Sequence, residues 1–434
     1  MSDLFTRTEW FLKERFGMFI HWGLYAIPGR GEWVMSDERI PVDMYEQYFE
    51  QFNPVDYDPV KWVKAAKKAG MKYVVMTVKH HDGFCLFDSA LTDYKSTNTV
   101  CKRDLTREFV DAVRAEGLKV GLYYSLIDWH HEDYPKYGDL IHPMRDNEAY
   151  KDNTYNFDNY LAYMHGQIKE LCRNYGKIDI LWFDYSYEHM RGETWHAKEL
   201  MEMVRSLQPE VIIDNRLETS GEGGGSLLTA NPTAWSGDFS SPEQIIPQEG
   251  IKNELGVSIP WEMCTTMNNT WGYTPNDIAY KPAALLIRKL VECVSKGGNM
   301  ILNVGPDAKG NFNKQSMDTL EAIGEWMDKN AESIYSCGYA DIDKPEWGRY
   351  TRNGNMIYAH VFEAPIGPLA LTGVPVDQVK SMYRLADGVE VQRGDSWITK
   401  AYENILFACL GSIAHFTYPL PDEADTVIAI ELKK

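Results

Sequence analysis

"FGMFIHWGLYAIPGRGEW", residues 16–33, decides between two architectures. It opens as a short apolar run and then turns polar at His21. A strand followed by a Gly-rich phosphate loop and a helix would announce a doubly wound open sheet. Here Pro28 stands where that helix should start, and no GxGxxG follows. The stretch predicts the first strand of a closed (β/α)8-like barrel instead.

Working outward, strands and helices alternate. "DPVKWVKAAKKAG" (58–70) predicts a helix that Asp58 caps and Gly70 stops. "KYVVMTVKHH" (72–81) is β-branched and reads as a strand. "DLTREFVDAVRAEG" (104–117) repeats the helix pattern, with Asp104 as cap and Gly117 as stop. "KVGLYYS" (119–125), "IDILWFD" (178–184), "EVIIDNR" (210–216), "PWEMCTT" (260–266) and "NMILNVGP" (299–306) read as further strands, with helical segments after most of them. Such alternation means parallel βα units. Seven strands are visible, so an eight-stranded barrel leaves one unread. "SGEGGGSLLTA" (220–230) is a flexible insertion within this half. From about Trp347 the texture changes to short alternating segments, "MIYAHVFE", "SMYRLADG", "WITKAYEN" and "TVIAIELK". These predict an all-β sandwich. The expected division is a barrel over 1–343 and a sandwich over 344–434.

Composition narrows the function. The 434 residues carry a net charge of −19, which argues against nucleic acid and anionic membranes as partners. No run reaches 18 apolar residues, and the N-terminus lacks a basic start followed by an apolar stretch. Seven scattered cysteines without a CxxC predict reduced thiols. The expectation is a cytoplasmic protein of bacterial origin, with a homo-oligomer left open. The chain is rich in rings, with 13 Trp and 26 Tyr, which serve a core or stack on sugar faces.

A barrel gathers the residues that end its strands. These are His21 and Trp22; His80, His81 and Asp82; Tyr123 and Tyr124; Asp184; Asn215 and Arg216; and Glu262. Singly, each has a bland reading: a strand-end Asp is often a cap, "HHDG" a turn, Arg216 a structural ion-pair partner. Together they describe a pocket. Metal hydrolysis fits poorly, because "HWG" replaces an HxH pair and adjacent His80 and His81 point to opposite sides of a strand. Nucleophilic Ser or Cys chemistry lacks a GxSxG elbow. Glycoside cleavage by two carboxylates in an aromatic, hydrogen-bonding pocket fits best, with a non-catalytic sugar binder as the alternative.

Six blocks in order then carry a resemblance: "FGMFIHWGLYAIPGRGEW", "YVVMTVKHHDGFCLFDS", "GLYYSLIDW", "ILWFDYS", "WEMCTTMNNTWGY" and "KGGNMILNVGPDAKG". Over residues 8–335 the chain resembles the α-L-fucosidases of glycoside hydrolase family 29. The resemblance implies a retaining exo-α-L-fucosidase that hydrolyses terminal α-L-fucosides of oligosaccharides or glycoconjugates through a covalent fucosyl-enzyme intermediate. It implies no cofactor and no essential metal. It makes Asp184 the nucleophile. It assigns His21, Glu32, Trp33, His80 and His81 to the fucose hydroxyls, Tyr124 and Arg216 to the same pocket, and Trp271 to the fucose methyl group. For the acid/base two glutamates compete. Glu243, in "SGDFSSPEQIIP", is expected on a loop leaning over the sugar near the family's G-D-aromatic element (Gly237, Asp238, Phe239). Glu262, expected deep in the barrel, is the second choice.

Overall fold

The computed structural model describes residues 2–394, 397, 399–410 and 419–433, with side chains from residue 6 onward. Seven parallel strands form one sheet: β1 (Phe16–Ile20), β2 (Tyr73–Lys79), β3 (Lys119–Ser125), β4 (Ile180–Asp184), β5 (Ile212–Ile213), β6 (Glu262–Thr266) and β7 (Asn299–Val304). Their order is β5-β4-β3-β2-β1-β7-β6, which leaves β5 and β6 as edges. Nearly every residue of these strands is buried, as expected when both faces are covered.

The unread strand is the one that closes the barrel. Residues 238–244 run between the two edges and form parallel bridges Asp214↔Phe239, Ser240↔Trp261 and Glu243↔Cys264. The Asp238 amide donates to Ile213 O at 2.6 Å, Glu262 N to Ser240 O at 2.9 Å and Gln244 N to Cys264 O at 2.9 Å. The hydrogen bonds are too irregular for a continuous ladder, because Pro242 supplies no donor. Phe239 nevertheless joins Phe19, Tyr73, Tyr123, Trp182, Cys264 and Ile301 inside the barrel. Glu243, expected on a loop, thus lies at the end of a strand-like segment.

The amphipathic helices behave as their sequences dictate. Asp58 accepts from the Val60 and Lys61 amides at the start of the helix Pro59–Lys68. Asp104 caps Leu105–Ala115 through the Arg107 amide. The first helix, Ser2–Glu14, plugs the N-terminal end of the barrel: the Phe11 ring lies 5.6 Å from Tyr73 and 4.9 Å from Phe239. No helix among the described residues is long and apolar enough to cross a membrane.

The C-terminal region, from Gly348 onward, holds two antiparallel sheets. Strands β8 (Gly348–Asn353), β9 (Met356–Val361), β11 (Val379–Arg384) and β14 (Thr426–Leu432) form one, in the order β11-β14-β9-β8. Strands β10 (Leu369–Leu371), β12 (Gln392–Arg393) and β13 (Leu406–Cys409) form the other, in the order β10-β13-β12. They enclose a core of their own that includes Ala340, Ile357, Leu371, Leu406 and Ile430. "WITKAYEN" is not a strand: Thr399–Ala401 make a turn of 3-10 helix, and residue 398 lies outside the described residues. The sandwich is fastened to the barrel by Arg288, whose Nε donates to Ala424 O at 2.8 Å, and by an Arg349–Glu292 ion pair at 3.1 Å.

Glu262 opens β6 rather than ending it, so it lies at the N-terminal, closed end of the barrel. It is fully buried, accepts from the Tyr73 hydroxyl, and has no hydrogen-bond partner for Oε1. Burial pushes its carboxyl up to about 8, although Tyr73 and Trp182 act against this.

Two outcomes follow from this architecture. Gly237 adopts φ 79°, and a Cβ there would stand 2.1 Å from the Asp214 carbonyl oxygen. Gly237→Ala should therefore cost about 2–4 kcal/mol of stability, read by urea unfolding, and should misplace Glu243. Glu262 keeps its proton in the folded chain at neutral pH and loses it on unfolding. Its contribution to stability should therefore fall as pH rises from the usual carboxylate range to about 8. Glu262→Gln should flatten that slope in urea midpoints taken from pH 5 to 8; an unchanged slope would show that Glu262 is ionised in the fold.

Candidate active site

A pocket of about 430 Å³ opens at the C-terminal ends of the barrel strands. It is lined by His21, Glu32, Trp33, His80, His81, Asp184, Arg216, Glu243 and Trp271, all expected there, and also by Phe19, Tyr123, Trp182, Tyr185, Glu222 and Ile245. Strand ends supply most of them, so rigid elements fix their positions.

At the centre lies Arg216, only 1% exposed. Its Nη1 meets Asp184 Oδ1 at 3.0 Å and its Nη2 meets Glu243 Oε2 at 3.1 Å. One guanidinium therefore spans both carboxylates, and this keeps them close together. Ser241 holds it from behind, with Nε to Oγ at 2.9 Å and Nη2 to the carbonyl at 3.1 Å. Its cation lies 4.7 Å from the centre of the Trp182 ring.

Asp184 ends β4. Its Oδ2 accepts the Tyr123 hydroxyl at 2.7 Å, and His81 Nε2 stands 4.0 Å away. Burial raises its carboxyl to about 6; Arg216 and Tyr123 pull it down, while Glu243 pushes it up. The Glu243 side chain is 38% exposed, against 14% for Asp184, so it occupies the mouth and Asp184 the floor. The residue after each carboxylate, Tyr185 at φ 78° and Gln244 at φ 57°, takes the left-handed region. This rare geometry turns the chain sharply at both strand ends and leaves each carboxylate facing the cavity.

Three histidines line the wall without charge. Burial depresses His21 to about 3 and holds His80 and His81 well below the usual imidazole range. Asn303 donates Nδ2 to Trp271 O at 2.7 Å, so its Oδ1 accepts from His21 Nδ1 at 2.7 Å. Ser125 gives its hydroxyl proton to Ile127 O at 2.9 Å and so accepts from His81 Nδ1 at 2.7 Å. Both rings therefore keep Nε2 as an acceptor. The His80 ring stacks on Tyr123 at 5.6 Å. Glu32 is buried, accepts the Gly272 amide at 2.8 Å, and is raised by that burial. Trp271 stands 4.9 Å from His21 and 6.1 Å from Phe19, which makes one side of the cavity aromatic and apolar.

Two expected site residues are elsewhere. Tyr124 does not reach the pocket: its hydroxyl donates to Gln167 at 2.7 Å, on the helix Phe157–Asn174 outside the barrel. Side chains alternate along a strand, so of the adjacent tyrosines only Tyr123, paired with Trp182 across β3 and β4, faces in. Glu262 lies beneath the site, outside the pocket. Among the other strand-end residues, Trp22 packs on Tyr57 in the core, Asp82 accepts the Tyr45 hydroxyl at 3.0 Å, and Asn215 ties Gly223 to Ser241. Asp238 is pinned at the closed end by Arg7 and Arg205. Phe19 and Trp182 could have been found by stepping back two residues from His21 and Asp184. Glu222 carried no such signal, since it sits in the Gly-rich insertion.

Known proteins resemble this chain over most or all of its length. A family profile described as "Alpha-L-fucosidase" matches residues 3–332. The structure of α-L-fucosidase isoenzyme 1 from Paenibacillus thiaminolyticus is 57% identical, with a TM-score of 0.96 and 100% of both chains covered. A trapped covalent intermediate of a family 29 α-L-fucosidase from Bacteroides thetaiotaomicron, with 2-fluoro-fucosyl fluoride, is 32% identical at a TM-score of 0.83, covering 99% of this chain and 96% of that one. Tissue α-L-fucosidase of Homo sapiens is 28% identical over 384 residues, 81% of this chain and 74% of its own. With its family profile spanning the barrel and its fold matched end to end, this chain belongs to the α-L-fucosidases of glycoside hydrolase family 29.

Proposed function

We propose that the protein releases terminal α-L-fucose from fucosylated glycans with net retention, Asp184 acting as nucleophile and Glu243 as acid/base. The observation that carries this reading is the single buried guanidinium that spans both carboxylates. A retaining pair needs carboxyl groups about 5–5.5 Å apart on opposite sides of the scissile bond. The floor position of Asp184 suits attack on the anomeric carbon. The mouth position of Glu243 suits proton delivery to the departing oxygen and then proton removal from water. Arg216 and the Tyr123 hydroxyl favour ionised Asp184 against its burial. The neutral histidine Nε2 atoms accept from sugar hydroxyls, and the Trp271–Phe19 wall suits the methyl end of a 6-deoxy sugar. A sugar-binding protein without catalysis needs no carboxylate pair, so the pair favours the enzyme. Seven free thiols support a reducing, cytoplasmic setting.

Loss of each carboxylate should give its own signature. Asp184→Gly should lower turnover by at least about 10³-fold, and azide should restore product as the inverted β-fucosyl azide. Glu243→Ala should lose about 10²–10⁴-fold on natural glycans but form the intermediate readily from aryl fucosides with good leaving groups. Azide should then release α-fucosyl azide, with retained configuration. The assignment fails if Glu262→Gln behaves this way and Glu243→Ala does not. In pH profiles, kcat/KM should fall on the acid side around pH 6, where Asp184 takes up a proton. Tyr123→Phe removes a hydrogen bond to the carboxylate and should move that limb to higher pH; a limb that stays put would detach Asp184 from it.

A further inference from the structure

The mouth of the pocket carries charge of one sign. Its cationic side chain, Arg216, is buried and committed to Asp184 and Glu243. The histidines are held neutral by burial. No lysine lines the cavity, and Arg216 is its one arginine among the described residues. What remains at the opening is Glu243 and, beside it, the exposed Glu222. The Glu222 Oε2 accepts the Ser220 amide at 2.7 Å within the same loop, which favours a carboxylate placed along the rim. Ile245, 67% exposed, lines the same cavity and adds an apolar surface. A leaving group therefore meets negative charge and a hydrocarbon surface, with no cation to receive an anion.

We infer that this mouth selects against anionic leaving groups, such as carboxylated or sulfated sugars, and that Glu222 is the specificity-determining residue. The inference rests on the fucosidase reading and deepens it. A charge held on a rim exposed to water acts through a high dielectric, so each carboxylate should alter the efficiency of an anionic substrate by about three- to fivefold. Salt should weaken the effect, because charges on the rim are screened over about 4 Å at 0.5 M. The two carboxylates together should give about tenfold discrimination at low salt.

The test compares 4-nitrophenyl α-L-fucoside with its 3-carboxy-4-nitrophenyl analogue, read as the ratio of their kcat/KM values. The wild type should favour the neutral substrate by about tenfold at 20 mM salt and markedly less at 0.5 M. Glu222→Gln keeps an acceptor for Ser220 and should cut the ratio about three- to fivefold; Glu222→Lys should cut it further. Equal efficiency on both substrates in the wild type overturns the inference and leaves the fucosidase reading intact. A salt-sensitive ratio that neither variant alters overturns the role of Glu222. Turnover of neither substrate overturns the fucosidase reading, and this inference with it.

Discussion

The active end of the barrel depends on one buried cation. Arg216 is 1% exposed, and an unpaired guanidinium at that depth would cost several kcal/mol. The chain meets the requirement from three directions: Asp184 and Trp182 on β4, Ser241 behind, and Glu243 at the mouth. Ser241 and Glu243 both belong to the segment that closes the barrel. The contacts Arg216 makes with Ser241 and Glu243 therefore also tie that segment to the end of β5. Closure of the fold and spacing of the carboxylates are thereby coupled: a neutral residue at position 216 would leave two carboxylates repelling each other, with the closing segment held to its neighbours by backbone hydrogen bonds such as Asp238 N to Ile213 O.

Desolvation sets the protonation of nearly every group in the pocket. It strips the charge from His21, His80 and His81, and it lifts Asp184 to about 6. These effects are useful together. A neutral imidazole with its Nδ1 proton fixed by Asn303 or Ser125 presents a defined acceptor, where an imidazolium would present only donors. A dry cavity also strengthens each hydrogen bond made to a sugar. The cost falls on Asp184, whose ionised form would be disfavoured further without Arg216 and Tyr123.

Much of this was legible in the sequence, because seven strands and their helices obey simple periodicity and the caps Asp58 and Asp104 stand where their helices begin. The barrel-closing strand was not. "DFSSPEQ" offers one large apolar residue, Phe239, and a proline, so it lacks the β-branched run that marks the others. Its strand character comes from the neighbours on both sides, which a local pattern does not record. The resemblance assigns Tyr124 to the pocket and the structure places Tyr123 there, because two adjacent tyrosines give no phase by themselves; the phase comes from the partner strand, where Trp182 faces Tyr123 across the ladder. The insertion 220–230 reads in sequence as a flexible insertion with no site signal, yet Ser220, Gly221 and Glu222 reach the pocket. Asn215 draws it in by donating to Gly223 O at 2.8 Å, a contact between residues whose proximity only the closed barrel creates.

Position along a strand decides what each carboxylate does. Asp238 and Glu262 begin their segments and lie at the closed end of the barrel, while Asp184 and Glu243 finish theirs and lie at the open end. At the closed end a charge has no substrate to meet, and the fold neutralises it: Asp238 between Arg7 and Arg205, Glu262 by keeping its proton. At the open end two carboxylates share one arginine, so their combined charge is left uncompensated where a reaction can use it. Between the two ends lies Trp182, whose ring stands 4.7 Å from the Arg216 guanidinium. An acidic residue in such a barrel is therefore read first by which end of its strand it occupies, and only then by its neighbours in sequence.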